Sequence, residues 1–172
     1  DATVANDLAA RLAQHPPFSL ERPEPVQRPD WWREASCAAP ETGADTPHTW
    51  EHSAEVQVPF LQKTLPAFRL LPVIMGDVDA AAAASALEPF LDENTLLVVS
   101  SDLSHYDSYA NAQKRDRRCI DAICSLHPES VSSDAACGAV PIRVLLQIAR
   151  DKGWTARLLD YHQRPRGGVG AL

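Results

Sequence analysis

The chain has 172 residues, a net charge of −7 and ordinary apolar and charged fractions. That length suits one domain with a real core, and residues 1–172 are read here as such. The acidic balance argues against nucleic-acid backbones as partners, which require a basic surface. No apolar run is long enough to span a bilayer and no signal peptide is visible, so a cytoplasmic location is expected.

Thr3 to Gln14 predicts a helix, with Leu8, Leu12 and the alanines as its apolar stripe and His15-Pro16-Pro17 as its stop. Residues 16–46 are Pro-rich and carry no clear period, which predicts an irregular connection tacked down by Trp31 and Trp32. His48 to Leu65 predicts a helix lying on a sheet through Val56, Phe60 and Leu61, with Pro59 absorbed near its start. Phe68 to Met75 predicts a strand, and Pro72 makes it an edge or partly paired one. Asp79 is a good N-cap for an Ala-rich helix to Leu91.

Thr95 to Ser100 is a short aliphatic run that predicts a buried central strand of a parallel sheet. Ala110 to Leu126 predicts an amphipathic helix with Ile120, Ile123 and Cys124 inward and Lys114, Arg115, Arg117 and Arg118 outward. Ala139 to Lys152 predicts another helix, ended by Gly153. Trp154 to Tyr161 and Gly168 to Leu172 predict further strands. Strands alternating with helices mean an α/β fold, with a mainly parallel sheet and helices on both faces.

Three clusters could carry chemistry. In the first, His48 and His52 would share one helical face beside Glu51. This is the H-x-x-E-H pattern of inverted zinc peptidases, in which two imidazoles bind zinc and the Glu is general base. A third ligand would be needed, and Glu88 and Asp121 are available. The alternative is a helix start with incidental histidines. The second cluster, Ser100-Ser101-Asp102-Leu103-Ser104-His105-Tyr106, lies just past the carboxyl end of the predicted central strand, where ligands collect in open α/β sheets. There Asp102 could bind a metal or orient an imidazole. Asp and His are also ordinary turn residues.

In the third cluster Cys137 stands at the mouth of a helix, where exposed N–H groups and the macrodipole favour a thiolate, a nucleophile or soft ligand. A buried, inert cysteine is the competing reading. The four cysteines fit no zinc-ribbon spacing, and free thiols in a reducing compartment are expected. Tyr161-His162, after a predicted strand, could border a pocket. Taken together, mixed N, O and S donors at element junctions suit one transition metal ion, Fe, Cu or Zn, rather than Ca or Mg.

His48-x-x-Glu51-His52-Ser53-Ala54-Glu55 with Pro59-Phe60 resembles the H-x-x-E-H-S-x-E-x-x-x-P-[FY] segment of the Memo family, also called AmmeMemoRadiSam system protein B. Ser100-Ser101-Asp102-Leu103-Ser104-His105-Tyr106 is similar to its S-S-D-x-[SC]-H-[YW] segment, and Cys137-Gly138 with Pro141-Ile142 to its C-G-x-x-P-I segment. The match runs from about Pro47 to Tyr161. It implies a fold related to class III extradiol dioxygenases, which are non-haem iron enzymes. It also implies a metal-competent pocket with His52, His105 and Cys137 as ligands and Asp102 alongside.

On that reading His48 and Glu51 are pocket neighbours, His48 and Asp102 are the candidates for catalytic work, and a small molecule or peptide occupies the pocket. Turnover would be that of a metal-dependent oxidoreductase; a non-catalytic binding module is the alternative. The family also carries a G-P-S-H segment and first strands that nothing in residues 1–46 matches. The ending at Gln163 to Gly170 departs from the family's Y-x-x-S…V-V-G-Y. The chain is therefore expected to lack the N-terminal strands, with consequences for the completeness of the site.

Overall fold

A computed structural model describes residues 2–21, 46, 51–104 and 108–162. It is an α/β structure of helices with a small parallel sheet. The contacts divide the chain into two compact units, Asp1–Gly76 and Asp77–Leu172.

In the first unit β1 (Ala2–Val4) pairs in parallel with β2 (Phe68–Leu70), with Ala2 opposite Phe68 and Val4 opposite Leu70. Thr3 and Val4 are β-branched and favour this extended pairing, so the helix expected from Thr3 begins only beyond them. It is α1 (Asn6–Leu12), which buries Leu12. The Ala5 N–H donates to the Leu70 carbonyl and continues the ladder. Arg69 pairs with Asp7 and ties β2 to the first turn of α1. Pro72 has no N–H to give, and the pairing of β2 stops short of it, as its position predicts.

Residues 53–57 form turns, and a regular helix, α2 (Val58–Thr64), begins only after them, with Pro59 in its first turn. None of its residues is buried, and Phe60 is 70% exposed. The expected packing of Val56 and Phe60 on a sheet is absent among the described residues. A helical period identifies the apolar face but not what covers it.

The second unit holds the larger core. α3 (Ala80–Leu87) is capped by the Asp79 carboxylate, which accepts the Ala82 N–H at 2.7 Å. α4 (Tyr109–Cys124) buries Asp116, Cys119, Ile120 and Ala122. Cys119 faces inward and Cys124 is exposed, so the cysteine expected on the inner face is the wrong one of the two. Asp116, Cys119, Ile120 and Ile123 follow the i, i+3, i+4, i+7 stripe that turns a helix face inward. α5 (Ala139–Asp151) buries Ala139, Ile142, Val144, Leu146, Ile148 and Ala149, and packs against α3.

Both long helices end in Schellman turns. After α5, Gly153 takes φ 65°, and the Trp154 N–H reaches back to the Ala149 carbonyl at 2.7 Å. After α4, Leu126 takes φ 54° in the same role, while its side chain packs on the core.

Two expected strands are not observed as strands. Residues 95–100 carry no regular secondary structure, and Val99 packs on the core formed by Cys119, Ala122, Val131, Ala136, Ile142 and Leu146. Leu96 is 68% and Val98 46% exposed, so the alternation of a half-covered strand is present without a ladder. Residues 154–161 are likewise unpaired among the described residues. A strand exists only with a neighbour to hydrogen-bond to, and an aliphatic run does not supply the neighbour. The final strand expected at 168–172, the Pro-rich 22–45 and the two tryptophans at 31 and 32 lie outside the described residues.

Candidate functional site

The second unit brings together two of the three sequence clusters. The segment leading to Cys137 is fixed from several sides. Val131, Ala135 and Ala136 are buried. Arg143 Nε donates to the Val131 carbonyl at 2.7 Å. Arg115 reaches from α4 to Asp134, whose carbonyl and carboxylate both accept from its guanidinium. These contacts deliver Cys137 to the start of α5, where Gly138 is the N-cap.

There it meets the loop after Ser100. The Cys137 N–H donates to the Asp102 carbonyl at 3.2 Å. In return, the Asp102 N–H donates to Cys137 Sγ at 3.2 Å. The Gly138 N–H donates to Ser101 Oγ at 2.8 Å, and that hydroxyl lies 3.5 Å from the sulfur. The approach needs glycine. A Cβ on Gly138 would stand 2.7 Å from Ser101 Cβ and 2.9 Å from its hydroxyl, closer than such atoms can come. Asp102 and Cys137 are both exposed, so the stitched pair faces outward rather than into the core. The competing expectation of a buried Cys137 does not hold.

The far side of the same loop is anchored by a residue that sequence reasoning missed. Asp116 is only 4% exposed. Its Oδ1 accepts the Ser104 N–H at 3.0 Å and its Oδ2 accepts the Tyr161 hydroxyl at 2.7 Å. Burial acts to raise the Asp116 pKa. The hydrogen bond from Tyr161 and the approach of Ser104 outweigh it, so the carboxyl is held below its usual range. The Ser104 hydroxyl is buried near this carboxylate without forming a properly directed hydrogen bond of its own. Burial, and then the hydrogen bond to and charge of Asp116, push the Tyr161 hydroxyl up to about 12. Tyr161 also lines a hollow of about 260 Å³ with Gln113, Arg117, Ile120 and Leu158. The signal for Asp116 was present in its spacing: an acid inside a basic run, but on the apolar stripe of α4.

His52 lies in the first unit and is exposed. Beside it Glu51 accepts the Ser53 N–H at 2.5 Å. That backbone bond, and next the Ser53 side chain, lower the Glu51 pKa. Neither Glu51 nor His52 is in a regular helix, which removes the premise that aligned them with His48 for zinc. The carboxylates considered as a third zinc ligand are engaged elsewhere: Glu88 faces Lys152 at 3.4 Å and Asp121 faces Arg117 at 3.2 Å.

His48 and His105 lie outside the described residues. Among the described residues no group of three or more His, Cys, Asp or Glu is gathered to hold a metal. Cys119, Cys124 and Cys137 are free thiols, and Cys37 lies outside the described residues. No described helix is long and apolar enough to cross a membrane.

Comparison with known proteins adds the family. Residues 36–167 match the family model described as Memo-like protein. A MEMO1 family protein of Methanosarcina acetivorans is 34% identical over 128 residues, covering 66% of this chain and 48% of the relative. One from Aquifex aeolicus is 35% identical over 126 residues, covering 66% and 47%. One from Methanopyrus kandleri is 41% identical over 88 residues, covering 47% and 31%. The chain thus spans about half the length of the first two relatives. No solved structure matches. With the family model extending over most of its length and all three motifs inside the matched span, the chain belongs to the Memo-like family.

Proposed function

We propose that the chain, as one Memo-like α/β domain related in fold to the class III extradiol dioxygenases, builds a pocket for a single transition metal ion. His52, His105 and Cys137 would be the ligands and Asp102 would stand beside them. The observation that carries this reading is the reciprocal pairing of Asp102 with Cys137. Two segments far apart in sequence, both inside the family match, are locked backbone to side chain, with the sulfur and the carboxylate left exposed.

The donor set fits such an ion. A thiolate with imidazoles suits Fe, Cu or Zn, whereas Ca and Mg take oxygen. When bound, the metal supplies Lewis-acid or redox activation at an open coordination position. The chain's own residues do the rest. Ser101 and the Asp102 N–H orient the sulfur, and Asp102 presents a carboxylate toward a bound small molecule or peptide. His48 is assigned to proton transfer with that ligand. Metal-dependent oxidoreductase chemistry is the activity that this arrangement supports best. The unpaired thiols are compatible with a reducing, cytoplasmic setting.

The test is metal titration of the native chain with Fe²⁺, Cu²⁺ and Zn²⁺, repeated on His105→Ala. Losing an outer-shell partner alone weakens metal binding roughly 10–100-fold, so loss of a ligand should weaken it by at least about 100-fold. Absence of binding, or binding indifferent to His105→Ala, refutes the pocket. Tight binding of a small molecule or peptide that survives complete chelation of metal would favour a non-catalytic binding module.

A further inference from the structure

We propose that Asp116 is a positioning residue for the pocket, fixing the loop 101–104 from behind, with Tyr161 as the clamp that fixes Asp116. This rests on the pocket reading above, because the loop it fixes carries Asp102 and leads directly into His105.

A buried carboxylate is tolerated only when its oxygens are satisfied. Asp116 is satisfied by two groups that are distant from it in sequence. One is the Ser104 N–H, on the loop; the other is the Tyr161 hydroxyl, on the segment beyond α5. α4 is rigid at this point, since Cys119 and Ile120, one turn later, are packed in the core. The loop is therefore held at both ends. Ser101 and Asp102 are stitched to Gly138 and Cys137, and Ser104 is hung on Asp116. Only Leu103 lies between these anchors, and its side chain packs on the core. The segment that carries Asp102 therefore has a fixed backbone, as a segment that presents side chains to a bound metal requires.

The arrangement also gives Tyr161 a role beyond lining a hollow. Its hydroxyl can donate to only one acceptor, and that acceptor is Asp116 Oδ2. Tyr161 stabilises the charged form of the carboxylate and fixes its rotamer, so that Oδ1 is aimed at Ser104. Loss of the hydroxyl should therefore loosen the loop through Asp116.

The experiment is peptide-resolved amide hydrogen exchange on the native full chain and on Asp116→Ala, Asp116→Asn and Tyr161→Phe, with Zn²⁺ affinity measured by chelator competition. Asp116→Ala should speed exchange of residues 102–104 about tenfold, the loss of one hydrogen bond to a charged acceptor. Exchange in α5 should not change. Asp116→Asn keeps an acceptor for Ser104 and should stay within about threefold of native. Tyr161→Phe, which removes a single hydroxyl and little volume, should speed exchange in the same peptide by a smaller factor. Zn²⁺ affinity should fall about tenfold in Asp116→Ala and remain near native in Asp116→Asn.

Unchanged exchange at 102–104 in both Asp116→Ala and Tyr161→Phe overturns the proposal. So does a rise spread equally over α4 and α5, the mark of a merely structural role. If the native chain takes up no Zn²⁺, Fe²⁺ or Cu²⁺, the pocket reading fails, and the exchange pattern still decides whether Asp116 anchors the loop. If the native chain binds Zn²⁺, and exchange rises in Asp116→Ala while its affinity holds, the positioning role is refuted and the pocket stands.

Discussion

Gly138→Ala should disrupt the junction between the two motif segments. The added Cβ would sit 2.7 Å from Ser101 Cβ and 2.9 Å from Ser101 Oγ, with the Ser100 carbonyl at 3.4 Å. The first of these contacts is a side-chain carbon bonded directly to the backbone, so it cannot swing away without moving the loop. Relief requires the 137–138 turn and the 100–102 loop to separate by several tenths of an ångström. That stretches the Gly138 N–H to Ser101 bond of 2.8 Å and the Asp102 N–H to Cys137 bond of 3.2 Å.

Overpacking of this kind costs about 1–3 kcal/mol, and weakening a hydrogen bond adds about 0.5–1.5 kcal/mol. A total near 3 kcal/mol should lower Tm by roughly 6–12 °C in a chain of this size. The assay is thermal and urea unfolding of native, Gly138→Ala, Ser101→Gly and the double variant. Removing the Ser101 side chain removes the clash, so the double variant should be more stable than the sum of the two single losses by about 1–2 kcal/mol. Native-like stability of Gly138→Ala, or strict additivity in the cycle, would show that the two segments do not meet as described.

Two further outcomes follow from single contacts. Tyr161 should titrate near 12, above the ordinary phenol range, because burial and Asp116 oppose its ionisation. Its folded pKa is raised, so its contribution to stability is complete below the unfolded value of about 10 and fades as pH rises through about 12. Absorbance at 295 nm should show this late phase, and Asp116→Asn should move it to lower pH; a late phase indifferent to Asp116→Asn counts against the pairing. Asp79→Ala should cost about 1 kcal/mol by removing the acceptor of the Ala82 N–H. Urea unfolding should show that loss without a change in m; a loss below about 0.3 kcal/mol means the cap contributes little.

What was legible in the sequence was mostly local. The Asp79 cap, the Gly153 stop and the check that Pro72 places on β2 each depend on one residue's own backbone chemistry, and each is observed. What was not legible depends on partners. Thr3 and Val4 read as helix until β2 takes them as a strand neighbour. Residues 95–100 keep the alternation of a strand, yet among the described residues no second strand pairs with them. α2 has an apolar face and no described cover.

The site divides in the same way. Asp102 and Cys137 were named from their motifs, and the structure brings them together. His52 is exposed in the other unit, and His48 and His105 lie outside the described residues. Asp116 escaped notice because a basic run reads as a solvated face. Only its register with Cys119 and Ile120 marks it as inward.

The central claim, that Cys137 is a metal ligand in a mixed His/Cys pocket, is tested most directly by X-ray absorption on the metal-loaded native chain. A zinc-loaded sample should show one sulfur scatterer at about 2.3 Å with nitrogen or oxygen at about 2.0–2.1 Å. The sulfur shell should vanish in Cys137→Ser while the lighter scatterers remain. A shell of light atoms alone, or a sulfur signal that persists in Cys137→Ser, contradicts the assignment.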